Sequence, residues 1–223
     1  MWYHWGMFAI ADDVLDLCRS VGHEATVLAV LADGLRNGPG DGSALRDAVA
    51  AAGDLTAPHP HLEAWRDVYR AFGAKPQRTP CSAEALRRRA ARGDLPSVNR
   101  LVDAYNAVSI RFAVPIGGED RSALVGTERL VRASGRSLDE PFDTVKDGVA
   151  VVEAPEPGEV VWRDDVGVTC RRWNWRQGRR TALTDATTSA VFLLEGLDVD
   201  LTPAASMLCE LLEADSVRIE RLT

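Results

Sequence analysis

The spacing of apolar residues divides the chain into three stretches. In the first sixty residues short helical and strand-like pieces alternate. Residues 12–19 start polar and carry Val14, Leu15, Leu17 and Cys18, which predicts a short helix. Residues 24–32 are rich in Val and Leu and predict a buried strand. The run Asn37-Gly38-Pro39-Gly40-Asp41-Gly42 predicts a loop, and Ser43 stands where it can cap a helix over 44–52. A helical middle follows. Leu62, Trp65, Val68, Tyr69 and Phe72 recur at spacings of three and four and end at Gly73. Thr79-Pro80-Cys81-Ser82 introduces a second helix running through Arg92. Leu95-Pro96-Ser97 introduces a third, striped by Leu101, Val102, Tyr105 and Val108. Residues 115–120 predict a turn.

Beyond Phe112 the period shortens to two. Strands are predicted over 129–133, 148–152, 159–162, 166–171 and 190–194, with turns at 155–158 and 164–165. A helix over 203–214 and a closing strand over 216–222 complete the chain. The expected fold is a single α+β domain, 1–223, with a mainly antiparallel or mixed sheet covered on one side by the helices of 62–111. Residues 1–60 form an N-terminal α/β extension packed on it, and 62–195 form the motif-bearing core.

Size and composition narrow the class. With 223 residues, 46% of them hydrophobic and 26% charged, the chain is long enough to bury a core without disulfides or metals. Cys18, Cys81, Cys170 and Cys209 are too scattered for a zinc knuckle and read as buried thiols. The longest apolar run is far short of a bilayer span, and the first ten residues carry neither a basic start nor a small-residue cleavage site. A cytoplasmic protein without membrane contact is the expectation. The net charge of −7 is a poor starting point for broad nucleic-acid binding, and no DNA specificity is expected.

Most familiar chemistries find no support. His59 and His61 lie in a Pro-flanked stretch that reads as a loop and lack partners for a metal site, so no metal and no cofactor are expected. There is no phosphate-cradling glycine loop and no nucleophile elbow. The arginines at 87–92 read either as a solvated helix face or as an RNA contact. Two stretches stand out. In the first, Asp103, Asn106 and Ser109 lie on successive helical turns that lead into Gly117, Gly118, Glu119 and Asp120. Adjacent glycines let backbone N–H groups approach a ligand, although a tight turn with a capping Asp has the same sequence. In the second, Trp162, Trp173 and Trp175 interleave with Asn174 and with Arg171, Arg172, Arg176, Arg179 and Arg180. That composition suits nucleotide stacking, or equally a packed tryptophan corner whose arginines answer Asp164 and Asp165.

Six segments occur in a telling order: WRDVYRAFG (65–73), SAEALRRR (82–89), LPSVNRLVDAYNAVSIRFAVPIGGED (95–120), GEVVWRDD (158–165), CRRWNWRQ (170–177) and TALTDATT (181–188). In this order the chain resembles free-standing B3/B4-domain proteins, which are similar to the editing module of the phenylalanyl-tRNA synthetase beta subunit. The resemblance runs from about Trp65 to Glu195. It implies hydrolysis of a mischarged aminoacyl-tRNA in trans, or at least binding of an aminoacyl group. The module's Asp-x-Thr-Asn matches Asp103-Ala104-Tyr105-Asn106, which puts Tyr105 at its threonine. Its Pro-x-His-x-x-Asp matches Pro115 to Asp120, which puts Gly117 at its histidine. Its glycine-rich pocket wall matches Trp173-Asn174-Trp175-Arg176, and Glu195 lies about two residues from the position of a site glutamate.

On this resemblance the expected activity is deacylation, with a non-catalytic module for aminoacyl-tRNA, RNA or an amino acid as the alternative. Gly117, Gly118, Glu119, Asp120 and Asn174 are the expected catalytic residues. Tyr105, Asn106, Ser109, Trp175, Arg176, Thr184 and Thr187 are expected to bind substrate, and Arg171, Arg172, Arg179 and Arg180 the RNA. The expected partner is an aminoacyl-tRNA or its aminoacyl-adenosine end.

Overall fold

Two nine-residue strands, β3 (Ala25–Asp33) and β11 (Ser189–Leu197), pair antiparallel along their whole length and form the spine of the molecule. The computed structural model describes residues 2–136 and 139–223, with residues 2–5 as backbone only. On either side of the spine lie β12 (Ser216–Arg221) and β4 (Ile116–Asp120), giving the order β12-β3-β11-β4. Alternate residues of the spine enter different cores. Val27, Ala29, Leu31, Val191, Leu193 and Leu197 face one, and Val30, Ala32, Ala190, Phe192 and Leu194 face the other. A strand buried on both faces reads as a continuous apolar run, which is why 24–32 shows no alternation.

The second core is closed by α5 (Arg100–Phe112) and α6 (Thr202–Leu211). Around α5 lie α2 (Ser43–Ala51) and α4 (Ser82–Ala91), which share a small cluster with Ala107 and Ile110. The first core is closed by α1 (Asp12–Ser20), α3 (Pro60–Ala71) and a second sheet. That sheet runs β1-β2-β5-β8-β9-β10, built from β1 (Trp2–Trp5), β2 (Phe8–Ala11), β5 (Glu128–Arg132), β8 (Val160–Arg163), β9 (Val168–Arg171) and β10 (Arg176–Gln177). Among the described residues only β2 and β5 pair in parallel. A hairpin of β6 (Phe142–Lys146) and β7 (Val149–Glu153) makes a third, two-stranded sheet.

The class is α+β, as the change of period predicts. The strands divide into three sheets, however, and helices lie on both faces of the four-stranded one, because β3 and β11 are apolar on both sides. Residues 1–60 supply β3, an interior strand, and β2, so the N-terminal third is woven into both sheets.

Several local readings change. Residues 116–120 are strand β4, not a turn: glycine is a poor strand former, but pairing with β11 fixes the backbone here. Ser43 does not cap α2. Gly42, left-handed at φ 69°, is the N-cap, and the Ser43 N–H and Oγ both donate to Asp41 Oδ1, at 2.8 and 2.6 Å. The His59–His61 stretch is not a loop either. Pro60 opens α3, as its fixed φ allows, and carries His61 into the core. There His61 Nδ1 lies 2.8 Å from Ala113 O, while Nε2 accepts from Trp65 Nε1 (3.1 Å) and Leu197 N (3.0 Å). Burial lowers its pKa to about 4, which makes it a neutral structural histidine.

Among the described residues no helix is long and apolar enough to cross a membrane.

Candidate functional site

Where the two sheets and α4 converge, they enclose a cavity of ≈ 260 Å³. Helical spacing brings Ser82, Ala85, Leu86 and Arg89 of α4 to its wall on one face, at intervals of three and four. Tyr105 and Asn106 enter from α5, Gly117 and Glu119 from β4, and Leu193 and Glu195 from β11. The remaining wall is Trp162 of β8, Cys170 of β9 and the turn from Trp173 to Gln177. The lining is mostly apolar, with a few polar groups set into it.

Glu195 organises the inner wall. Its Oε1 accepts from Trp162 Nε1 (2.6 Å) and Trp173 Nε1 (2.9 Å), and its Oε2 from Asn174 Nδ2 (2.8 Å). Asn174 Oδ1 in turn accepts from Tyr69 OH at 2.8 Å. Indole and amide N–H groups are obligate donors, so one buried carboxyl satisfies three of them. Burial raises the Glu195 pKa to about 8 against the pull of those donors.

The turn that delivers Trp173 and Asn174 is strained, with Arg172 and Trp173 both left-handed at φ 47° and 64°. Tertiary bonds hold it. Arg172 N donates to Glu159 Oε1 (3.0 Å), Trp173 N to Val160 O (2.6 Å), and Asn174 O accepts from Ser82 N (3.0 Å). Ser82 is thereby fixed beside the tryptophan wall.

Glu119 is 3% exposed, and its Oε2 is buried with no hydrogen-bond partner among the described residues. Burial, reinforced by the nearby Glu128 carboxyl, raises its pKa well above the ordinary carboxylate range. Glu128 itself is raised to about 7, chiefly by burial. Ser82 Oγ is likewise buried without a partner. Cys170 is a protonated thiol, its pKa pushed well up by burial, and burial also raises Tyr105.

The cavity thus brings together Tyr105, Asn106, Gly117, Glu119, Asn174, Trp175 and Arg176 of the residues expected from sequence. Others lie elsewhere. Asp120 accepts from Ser122 N (2.9 Å) and from Thr187 Oγ1 (2.6 Å), and Thr187 Oγ1 accepts from Thr184 N (2.9 Å). These three residues lock the end of β4 and do not line the cavity. Ser109 is fully buried in α5, away from it.

Arg171 is 6% exposed and held in a two-pronged pair with Glu159 (2.9 and 2.8 Å) and in a third bond to Glu153 (2.9 Å). Arg180 pairs with Asp164 at 2.7 Å and Arg179 with Asp143 at 3.4 Å. Arg172 stacks over Trp175, 4.4 Å from its centroid, and lies 3.8 Å from Glu159. These four arginines hold the ribbon together; a carboxylate answers each of them.

The two glycines also change roles. Glu195 N donates to Pro115 O (3.0 Å), so the antiparallel alternation puts the Gly117 peptide against Leu193 and leaves Gly118 facing the opposite edge, where Gln177 Nε2 donates to Gly118 O. Gly117 therefore offers the cavity no free N–H. Its contribution is space: a Cβ there meets nothing within 4 Å. Gly118 points the other way, where a Cβ would stand 2.9 Å from Leu183 Cδ1 and 3.1 Å from Phe192 and Tyr105 ring carbons. Gly118→Val is therefore expected to destabilise the fold by about 1–3 kcal/mol through overpacking. Thermal unfolding checks this; an unchanged melting temperature contradicts it.

Ser82, Trp162, Cys170 and Gln177 line the cavity although they are not among the residues expected there, and Glu195, expected only nearby, is part of its wall. Only the tryptophans and Glu195 gave a signal, and nothing local marks Ser82 as more than a helix start. Among the described residues no group of three or more His, Cys, Asp or Glu converges as metal ligands do.

The model of the B3/4 domain family matches residues 64–223, and the chain belongs to that family. No curated protein matches it. The matched region holds every residue named in the cavity wall, from Ser82 to Glu195.

Proposed function

We propose that the cavity receives the aminoacyl end of an aminoacyl-tRNA and hydrolyses its ester in trans. One observation carries the reading: an apolar, tryptophan-walled cavity lined by Ser82 and Glu119, whose Oγ and Oε2 are buried and without hydrogen-bond partners among the described residues. Asn106 lines the same cavity and makes no side-chain hydrogen bond among the described residues. Family membership supports the same direction, since B3/B4 domains resemble the synthetase editing module.

An aminoacyl ester is already activated, so its hydrolysis needs a positioned water, a base and donors for the developing oxyanion. Glu119, when ionised, takes a proton from water as the water oxygen bonds to the ester carbonyl carbon. Ser82 Oγ–H and the Asn106 amide donate to the carbonyl oxygen as it gains charge. As the carbon–ribose oxygen bond breaks, Glu119 returns the proton to the ribose oxygen, releasing free amino acid and a tRNA with its terminal hydroxyl restored. Both ends of the Asn174 amide are engaged in the wall, so it positions Glu195 and the turn and does not touch the ester. Trp175, with Arg176 5.9 Å from its ring centroid, offers a stacking surface for the terminal adenosine. The apolar lining suits an apolar or aromatic side chain.

A second reading, binding without hydrolysis, is favoured by one observation. Among the described residues no histidine lines the cavity, and Gly117 occupies the position at which the resemblance places one.

Trp162, Trp173 and Trp175 provide an internal reporter for occupancy. Titration with an amide-linked aminoacyl-adenosine, which cannot be hydrolysed, is expected to change tryptophan fluorescence saturably. A flat titration contradicts both readings.

A further inference from the structure

On the side of α4 away from the cavity lies a cleft of ≈ 400 Å³ whose walls include His59, Arg66, Glu84, Arg87, Arg88 and Arg92. Two of its arginines already have acidic partners. Arg66 pairs with Glu84 (2.5 Å) and Glu63 (2.5 Å), and Arg88 with Glu84. Arg87 is different. It is 5% exposed and in no ion pair among the described residues; Nη1 donates to Ile110 O (2.8 Å), Nη2 to Asp54 O (3.5 Å), and Nε has no partner among the described residues. His59 Nδ1, on the same wall, is also buried without a partner. Arg92 is exposed and likewise unpaired among the described residues.

The helix turns by about 100° per residue, so Arg89, Arg92 and Arg88 succeed one another around α4 at steps of about 60° and 40°. Arg89 lines the cavity, and Arg92 and Arg88 line the cleft. The basic ridge is thus continuous from one opening to the other, on a chain whose overall charge is −7.

We propose that this ridge and cleft bind the phosphodiester backbone of the RNA strand whose aminoacyl end enters the cavity. The proposal rests on the reading of the cavity as an aminoacyl-tRNA site and adds the path by which the strand leaves it. An acceptor strand crossing α4 meets Arg89 first, then Arg92, and reaches Arg87 in the cleft, a guanidinium in no ion pair among the described residues. Arg88 and Arg89 of the ridge face Glu84 and Asp94, but Arg87 and Arg92 are in no ion pair among the described residues, whereas in the 171–180 ribbon each arginine expected to bind RNA faces a carboxylate.

The test uses an uncharged RNA hairpin with a single-stranded 3′ tail, so that binding is read without turnover. Anisotropy titrations over a range of salt compare the wild-type protein with Arg92→Glu and Arg179→Glu. Arg92 has no partner to lose, and thermal melting of each variant verifies its fold. Arg92→Glu is expected to weaken binding about tenfold at low salt and to flatten the salt slope by about 1. Arg179→Glu is expected to stay within about twofold of wild type. Equal affinity for wild type and Arg92→Glu, an equal loss in Arg179→Glu, or no wild-type binding overturns the proposal. Preference for a poly-glutamate peptide over the hairpin also overturns it and assigns the ridge to an acidic protein. Hydrolysis of a small aminoacyl ester by the wild-type protein is followed separately, which keeps failure of the ridge distinct from failure of the cavity reading.

Discussion

Glu119→Gln is expected to lower deacylation by about 10²–10⁴-fold, the usual worth of a positioned general base, while the protein melts close to wild type. The substitution keeps the size of a side chain that is 3% exposed. It replaces a buried carboxyl at the cavity that has an oxygen without a partner among the described residues. The pH dependence gives a second signature. The basic form of Glu119 is the ionised one, and burial with Glu128 beside it holds the pKa well above that of an ordinary carboxyl. The Glu119-dependent rate, taken as wild type minus Glu119→Gln, should rise with pH, with an inflection above the usual carboxylate range. Spontaneous ester hydrolysis also quickens with pH, and the subtraction removes it. An undiminished rate in Glu119→Gln takes this residue out of the chemistry.

The largest effect on stability is expected at Glu195. Glu195→Ala leaves the Trp162 and Trp173 indoles and the Asn174 amide without acceptors inside the wall. Each buried orphan costs about 1–3 kcal/mol, so the variant should lose about 4 kcal/mol and melt roughly 10 °C lower. Glu195→Gln keeps an acceptor for both indoles and should lose much less. The pKa of Glu195 in the folded protein, about 8, lies above that of the unfolded chain. Its protonation therefore contributes stability that is fully present below about pH 4.3 and is lost as pH rises through 8. Wild type should lose stability relative to Glu195→Gln across that window. A Glu195→Ala protein that melts with wild type contradicts the network.

Legibility varied with how local the determining physics is. The helices α3 and α5 were readable because their apolar stripes report a buried face directly. The class followed from the change of period near Phe112. β4 is not legible in the sequence because Gly117 and Gly118 have turn-like propensity, and pairing with β11, more than seventy residues away, makes them strand. The core's two-sidedness was hidden for a related reason: an apolar run such as 24–32 shows burial but not how many layers cover it. In the site, Tyr105, Asn106 and Glu119 were visible through the helix and glycine pattern together with the family resemblance. Asp120, Thr184 and Thr187 are also polar and adjacent, yet they bond to one another, which composition cannot reveal. The arginines of 171–180 illustrate the same limit, since a guanidinium paired with Glu159 and one facing solvent are identical in sequence. Ser82 became a site residue only through the bond from its N–H to Asn174 O, set by the strained turn at Arg172 and Trp173.

Hydrolysis itself is tested most directly with charged tRNA. A single tRNA, acylated in turn with aromatic, aliphatic and small polar amino acids, is incubated with catalytic amounts of the protein, and free amino acid is measured over time. The expected result is multiple-turnover release, fastest for aromatic or aliphatic side chains and lost in Glu119→Gln. Release no faster than the spontaneous rate for every amino acid, from protein that still binds the amide-linked analogue, would contradict hydrolysis and leave a binding module.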